Sequence, residues 1–239
     1  MKSYWKKANN PVSIKIKNTS DVHLNGIKVL VYGKGGIGKT KLMGTAPKPL
    51  VLSCEGGLLS LRKDNIPYIE IETTADIYEA YDFIKSRKGR RYETIGLDSI
   101  SEMAEVVLVA YKKKEKDARQ AYMKMADEMY DIVRMFRDLK GRNVVFSAKR
   151  ESRADADTGL TQYIPSAPGK AVGDFLPYQF DEVFYMTFHE SDSGKKERVL
   201  ITETSYEHDA KDRSVELNKM ERPNLTKIFR KISVKSKSK

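Results

Sequence analysis

The chain has 239 residues, 40% of them hydrophobic, which is enough to bury a real core in one large domain or two small ones. No apolar run approaches the ~20 residues of a membrane span, and Met1-Lys2-Ser3-Tyr4-Trp5-Lys6-Lys7 leads into no apolar stretch, so neither a spanning segment nor a signal peptide is expected. A net charge of +11 suits association with polyanions such as nucleic acid, and suits equally a solvated surface with a lysine bias. The single cysteine, Cys54, excludes an internal disulfide, fits a reducing cytoplasm and reads as a buried inert thiol. His23, His189 and His208 are too far apart to show a metal-ligand spacing.

Residues 1–24 form a basic arm. Ser13-Ile14-Lys15-Ile16-Lys17 alternates as a short edge strand does. Tyr4 and Trp5, beside Lys6 and Lys7, can pack the arm onto the domain or stack on a base. The apolar, β-branched run Ile27–Tyr32 then predicts a buried strand. It leads directly into Gly33-Lys34-Gly35-Gly36-Ile37-Gly38-Lys39-Thr40, the pattern G-x-x-x-x-G-K-T. Here the chemistry dictates the residue types. Glycines let backbone N–H groups curl round a phosphate chain, Lys39 reaches the β- and γ-phosphates, and Thr40 offers a hydroxyl to Mg²⁺. Lys41-Leu42-Met43 begins a helix that Gly44 and Pro47 keep short. The strand, loop and helix order is what an ATP phosphate site requires.

Pro49–Cys54 and Tyr68–Ile71 predict two further strands, and Ala75–Ser86 a helix with Ile77, Ala80, Tyr81 and Ile84 on one face and Thr74 as N-cap. Tyr92–Leu97 predicts a strand that delivers Asp98 at its carboxyl end. That is where a Walker-B acid must stand to hold Mg²⁺ opposite Thr40. Helices follow over Ser101–Lys114 and Arg119–Lys140, the second with the stripe Met125, Met129, Ile132, Val133, Phe136 and Leu139. Asn143–Ala148 is a strand ending at Lys149 and Arg150. Glu151–Gly169 reads as a long polar loop, and Lys170–Leu176 as a short helix. Glu182–Phe188 and Arg198–Thr202 read as strands joined by a turn at Ser191–Gly194. Residues 227–239 carry six basic residues and no acid, which predicts a disordered tail from 229 onward. Strands alternating with helices round a P-loop give an α/β domain over 25–228, with a mostly parallel sheet and helices on both faces. Deleting 229–239 is expected to leave ATP turnover intact.

The order of these motifs resembles the core of RecA-type recombination ATPases. More closely, the chain resembles short phage-encoded nucleotide-binding proteins of the P-loop AAA/RecA-like kind, some of which are single-strand annealing recombinases. The residues that carry this likeness are Val31–Thr40, Leu50–Leu58, Leu97–Ile100 and Ala210–Arg213. The resemblance implies a RecA-like fold that binds and hydrolyses ATP with Mg²⁺, with Gly33 to Lys41 as the nucleotide loop and Thr40 and Asp98 on the metal. It implies that Glu55 polarises the attacking water, since a carboxylate on the strand next to the P-loop can orient it. An acid with no catalytic part is the other reading. Lys149 falls where such proteins carry a γ-phosphate sensor that is often a polar amide, so a DNA contact is open too. Lys211 and Arg213 fall where basic residues reach a neighbouring subunit's nucleotide in a ring or filament, or else form a solvated turn.

The resemblance further implies a homo-oligomer on single-stranded DNA in a bacterial host's cytoplasm, with a single-strand-binding protein as a further partner. Its DNA contacts would come from Lys112, Lys113, Lys114, Lys116 and Arg119, and from Lys149, Arg150, Arg153, Tyr163 and Lys170. Glu151, Asp155 and Asp157 dilute that second group. Annealing fits better than strand invasion, because the extra N-terminal DNA-binding domain of longer recombinases is lacking. Two other readings stand beside it. One is a non-enzymatic, ATP-dependent switch in a phage replication complex. The other is a small-molecule kinase, for which no acceptor motif or lid-like arginine cluster is evident.

Overall fold

The computed structural model describes residues 25–154, 159–191 and 194–233. The expected arm over 1–24, the edge strand at 13–17, Asp155, Asp157 and residues 234–239 lie outside them. The first strand, β1, spans Lys28–Gly33, and all six of its residues are buried. Its side chains divide between two cores. Leu30 and Tyr32 join one, and Val29 and Val31 the other. A strand covered on both faces must read this way, as a continuous apolar run.

After β1 come α1 (Lys39–Met43), β2 (Pro49–Ser53), β3 (Tyr68–Glu70), α2 (Thr74–Lys85), β4 (Thr94–Asp98) and α3 (Ile100–Lys112). Then follow α4 (Ala118–Arg137), β5 (Asn143–Ala154), β6 (Thr161–Ser166), α5 (Lys170–Gln179), β7 (Glu182–Glu190) and β8 (Lys196–Ile201). Two short strands, β9 (Lys211–Asp212) and β10 (Met220–Glu221), precede α6 (Leu225–Ser233). The strands form one sheet in the order β10-β8-β7-β1-β5-β4-β2-β3, with β6 added on β5 and β9 on β7. From β7 to β3 every pairing is parallel. Helices α2 to α5 cover the face of Leu30 and Tyr32, while α1 and α6 cover the other. This is the α/β class expected from the sequence.

Four local readings are corrected. β2 is not beside β1 in the sheet, because β5 and β4 stand between them. The stretch Glu151–Gly169 is not one long loop. β5 runs on to Ala154 and β6 returns antiparallel, with Lys149 opposite Ser166 and Ala154 opposite Thr161. Polar residues hid the strands, since an outlying hairpin has few apolar positions, and Pro165 is tolerated because the other edge of β6 carries only an isolated bridge, from Tyr163 to His208. The N-cap of α2 is Thr73 rather than Thr74. Its side chain accepts from the Asp76 N–H, and the Asp76 carboxylate accepts from the Thr73 N–H, a reciprocal capping box.

The fourth correction concerns the basic tail. Residues 229–233 belong to α6, whose Leu225, Ile228, Phe229 and Ile232 are buried. Spacing of three and four places them on one stripe, with Lys227, Arg230 and Lys231 off it. Counting charge concealed the period. The start of α6 is fastened to the end of α1. Thr45 Oγ1 accepts from the Leu225 N–H at 2.8 Å, and Thr226 Oγ1 donates to the Thr45 carbonyl at 2.6 Å.

Candidate nucleotide site

The loop from Gly33 to Thr40 leaves the carboxyl end of β1, and its backbone needs glycine at two points for different reasons. A β-carbon on Gly33 would stand 2.5 Å from the Met186 carbonyl oxygen on the neighbouring strand. Gly38 has φ 108°, in the left-handed region that L side chains rarely adopt. Ile37 sends its side chain into the second core, so only its backbone is free to meet a phosphate. Lys34, Gly35 and Gly36 are exposed.

Lys39 opens α1. Its Nζ donates to the carbonyls of Gly33 at 3.0 Å and Lys34 at 3.3 Å, so the ammonium lies across the mouth of the loop. Burial lowers its pKa, and the nearby charges of Asp98 and Glu55 pull it back up. Thr40 Oγ1 donates to Asp98 Oδ2 at 2.5 Å. Asp98 is 5% exposed at the end of β4. Its other oxygen accepts from the buried Ser147 Oγ at 2.5 Å. Ser147 comes from β5, the strand between β1 and β4, and so spans the gap from P-loop strand to acid. The Asp98–Ser99 peptide is cis.

Ser99 caps α3. Its Oγ accepts from the Glu102 N–H at 3.3 Å and donates to Glu55 Oε1 at 2.5 Å. Glu55 is exposed just past β2, yet this bond turns it toward the Asp98 end of the sheet. Cys54 lies beside them, its thiol pushed up to about 12 by burial and by the charges of Asp98 and Glu55. It is the inert thiol that the sequence implied. Among the described residues no group of three His, Cys, Asp or Glu side chains could hold a metal. Thr40 and Asp98 nevertheless offer hard oxygen donors side by side, which fits Mg²⁺ shared with phosphate oxygens.

The remaining expected residues divide. Lys41 turns away from the loop to Asp64, at 2.5 Å. Lys149 pairs with Gly33 in register and is ion-paired to Glu102, which raises its pKa. Arg150 lies 4.1 Å from the centre of the Tyr163 ring and donates to Tyr185 Oη at 3.0 Å. Tyr163 and Tyr185 stack, as do Tyr185 and Tyr32 beneath the loop. Arg153 is held by Glu151 and Asp174. Lys211 Nζ donates to the Pro177 carbonyl at 2.7 Å, and Arg213 pairs with Asp181 at 2.9 Å. Their strand β9 joins the beginning of β7, whereas Met186, three residues further on than Val183, pairs with Gly33. Lys211 and Arg213 therefore stand at the end of the sheet opposite their own chain's P-loop. A wider groove of about 770 Å³, lined in part by Arg153, Asp174, Tyr178 and Lys211, lies away from the loop.

The basic residues between α3 and α4 keep their freedom. Lys112, Lys113, Lys114, Lys116 and Arg119 are all exposed. Lys112 Nζ lies 5.4 Å from the centre of the Tyr122 ring, and Tyr122 is 40% exposed. A β-carbon on Gly169 would stand 3.6 Å from that same ring, so the exposed Lys170 begins α5 beside it. Two basic stretches that lie far apart in sequence thus meet at one tyrosine. Neither Tyr122 nor Ser147 was singled out from the sequence. Ser147 is the one hydroxyl in an otherwise apolar strand run, and that was the available signal.

The mostly parallel sheet and the loop fit a P-loop NTPase of the α/β class. Residues 25–214 match the AAA domain family, and the chain belongs to that family. No curated protein matches it. Among solved structures, it is similar to a KaiC-like protein from the hyperthermophilic archaeon Pyrococcus horikoshii. The identity is 14% over 78% of this chain and 84% of that one, with a TM-score of 0.41. No helix among the described residues is long and apolar enough to cross a membrane.

Proposed function

We propose that this chain binds and hydrolyses ATP with Mg²⁺, and that nucleotide occupancy governs its hold on single-stranded DNA during annealing and recombination. The setting would be phage DNA metabolism in a bacterial cytoplasm, as a homo-oligomer and alongside a single-strand-binding protein. The observation that carries the nucleotide half is the chain of bonds Thr40–Asp98–Ser147 facing Lys39 across the loop. Lys39 would hold the β- and γ-phosphates, and the loop N–H groups would cradle them. Thr40 and Asp98 would hold Mg²⁺, which neutralises charge on the phosphates when bound. Glu55, oriented by Ser99, would align a water with the γ-phosphate and accept its proton.

Support for the DNA half is the exposed run of Lys112, Lys113, Lys114, Lys116 and Arg119, with Lys112 on the Tyr122 ring and Lys170 starting α5 near that ring. Cations there neutralise phosphates, and a half-exposed ring offers a face to a base. Lys149, Arg150, Arg153 and Tyr163 are occupied within the fold, so they would contribute only after rearrangement. That same engagement favours a second reading, an ATP-dependent switch whose readout is a protein interface. The deciding test is anisotropy of labelled single-stranded DNA across a salt titration, with and without a non-hydrolysable ATP analogue, against a duplex control. Tighter, ATP-dependent binding to the single strand supports the proposal. Weak binding, equal for both DNAs and blind to nucleotide, overturns the DNA half.

A further inference from the structure

β7 and β8 project past the end of β1. Gly33 is the last residue of β1 and pairs with Met186, so Thr187 to Glu190 extend further, paired with Lys196 to Val199 of β8. This overhang stands beside the P-loop on the flank away from Asp98, because β7 and β4 lie on opposite sides of β1. Phe188 and Arg198 are directly opposite each other in it. The Arg198 guanidinium lies 5.6 Å from the centre of the Phe188 ring. Its Cδ and Nε come within 3.6 Å of where a β-carbon on Gly38 would be. Arg198 is exposed, and among the described residues it has no hydrogen-bond or carboxylate partner. The neighbouring cations Lys195 and Lys196 are paired with Glu197 and Glu190. An arginine laid on the nucleotide loop, held by a ring and paired with no acid, is a cation placed for an anion.

We propose that Arg198 is a second cation of the nucleotide site, supplied in cis by the β7–β8 overhang, and that it binds the phosphates nearer the nucleoside while Phe188 holds its guanidinium. Thr40 and Asp98 engage the terminal end of a triphosphate on one flank of the loop, so the rest of it runs toward the other flank, where Arg198 stands. This inference rests on the nucleotide-binding reading above.

The test measures binding of fluorescent mant-ATP and mant-ADP with Mg²⁺ to the full chain and to Lys39→Ala, Arg198→Ala, Arg198→Lys and Phe188→Ala. Arg198→Ala is expected to weaken both nucleotides about ten-fold or more, as loss of a charge-assisted bond does. Arg198→Lys should recover part of the loss, and Phe188→Ala should cost a few-fold. Both side chains are exposed, so unchanged thermal melting is expected and confirms that the variants fold. Equal affinity in wild type and Arg198→Ala overturns the proposal while leaving the nucleotide site standing. A loss confined to mant-ATP also overturns it, because the contact would then be to the terminal phosphate. No binding by wild type refutes the nucleotide reading itself.

Discussion

Two buried acids of this protein differ in their partners. Asp98 accepts hydrogen bonds from the Thr40 and Ser147 hydroxyls. Replacing Ser147 by alanine leaves one carboxylate oxygen buried without a partner, at a cost of about 1–3 kcal/mol. Ser147→Ala is therefore expected to raise the Mg²⁺ concentration needed for ATP binding about ten-fold, read by titrating Mg²⁺ at fixed nucleotide. An unchanged midpoint would assign Ser147 to packing alone. Glu55→Gln should bind ATP normally and turn it over about a hundred-fold more slowly, the effect typical of removing a general base. Normal phosphate release from that variant would make Glu55 structural. Glu182, by contrast, is 1% exposed, and burial together with the charge of Asp212 pushes its pKa from 4.5 up to about 8. Asp212 moves the other way. Burial opposes the shift, but bonds donated by Ser214 Oγ and the Leu217 N–H hold its carboxyl below the usual range.

The linkage sign for Glu182 follows from its raised pKa. Below pH 4.5 the group is protonated whether the chain is folded or not, and its contribution is fully present. Between 4.5 and about 8 the unfolded chain releases the proton and the folded one keeps it, so this contribution is lost as pH rises. Glu182→Gln removes that loss, and its melting temperature relative to wild type is expected to be higher at pH 9 than at pH 5. A constant difference across pH would show that Glu182 does not titrate in this window.

Among the elements, α6 shows most clearly what sequence reading could and could not reach. Four parallel strands, β1, β2, β4 and the start of β5, were legible because burial makes them apolar runs, and Met125 to Phe136 declared α4 by period. α6 was missed because six cations among thirteen residues outweighed Leu225, Ile228, Phe229 and Ile232. The β5–β6 hairpin was missed because its strands are half polar and pair outside the main sheet. Deleting 229–239, for which the sequence predicts intact ATP turnover and weaker DNA binding, removes Phe229 and Ile232 from the second core. Phe229→Ala is expected to destabilise the fold by about 3–5 kcal/mol in denaturant titrations, the usual cost of emptying a buried phenylalanine site. A change below about 1 kcal/mol would mean that α6 is not part of the cooperative unit.

At the scale of the molecule, the glycine-rich loop and the place of Asp98 at the end of a strand were readable, since their chemistry fixes residue types at set places, whereas the order of strands was not, β5 and β4 standing between β1 and β2. The partners of those residues were not. Which lysines face solvent depends on where carboxylates come to rest, and Lys149, Arg153 and Arg213 are each claimed by an acid distant in sequence. The count of 44 lysines and arginines therefore overstates the cations free to meet a polyanion. On the proposed reading, ATP and single-stranded DNA each raise affinity for the other by the same factor, because binding linkage is reciprocal. Single-stranded DNA affinity left unchanged by a saturating non-hydrolysable ATP analogue would refute the coupling.

The bonds between Thr45, just past α1, and the start of α6 join segments 180 residues apart in the chain. During synthesis from the N-terminus, Val29, Val31, Leu42 and Met43 emerge long before Phe229 and Ile232 arrive to cover them. A nascent chain stopped short of α6 would carry its complete P-loop on an uncovered apolar face. Stalled chains ending at residue 224 should then be cut rapidly by protease, and chains extended far enough to free Ile232 from the ribosome should resist. Equal resistance would mean that the cover is dispensable. If the difference holds, the apolar face beneath the P-loop is covered only once translation has passed α6, and the ribosome sets when the fold closes.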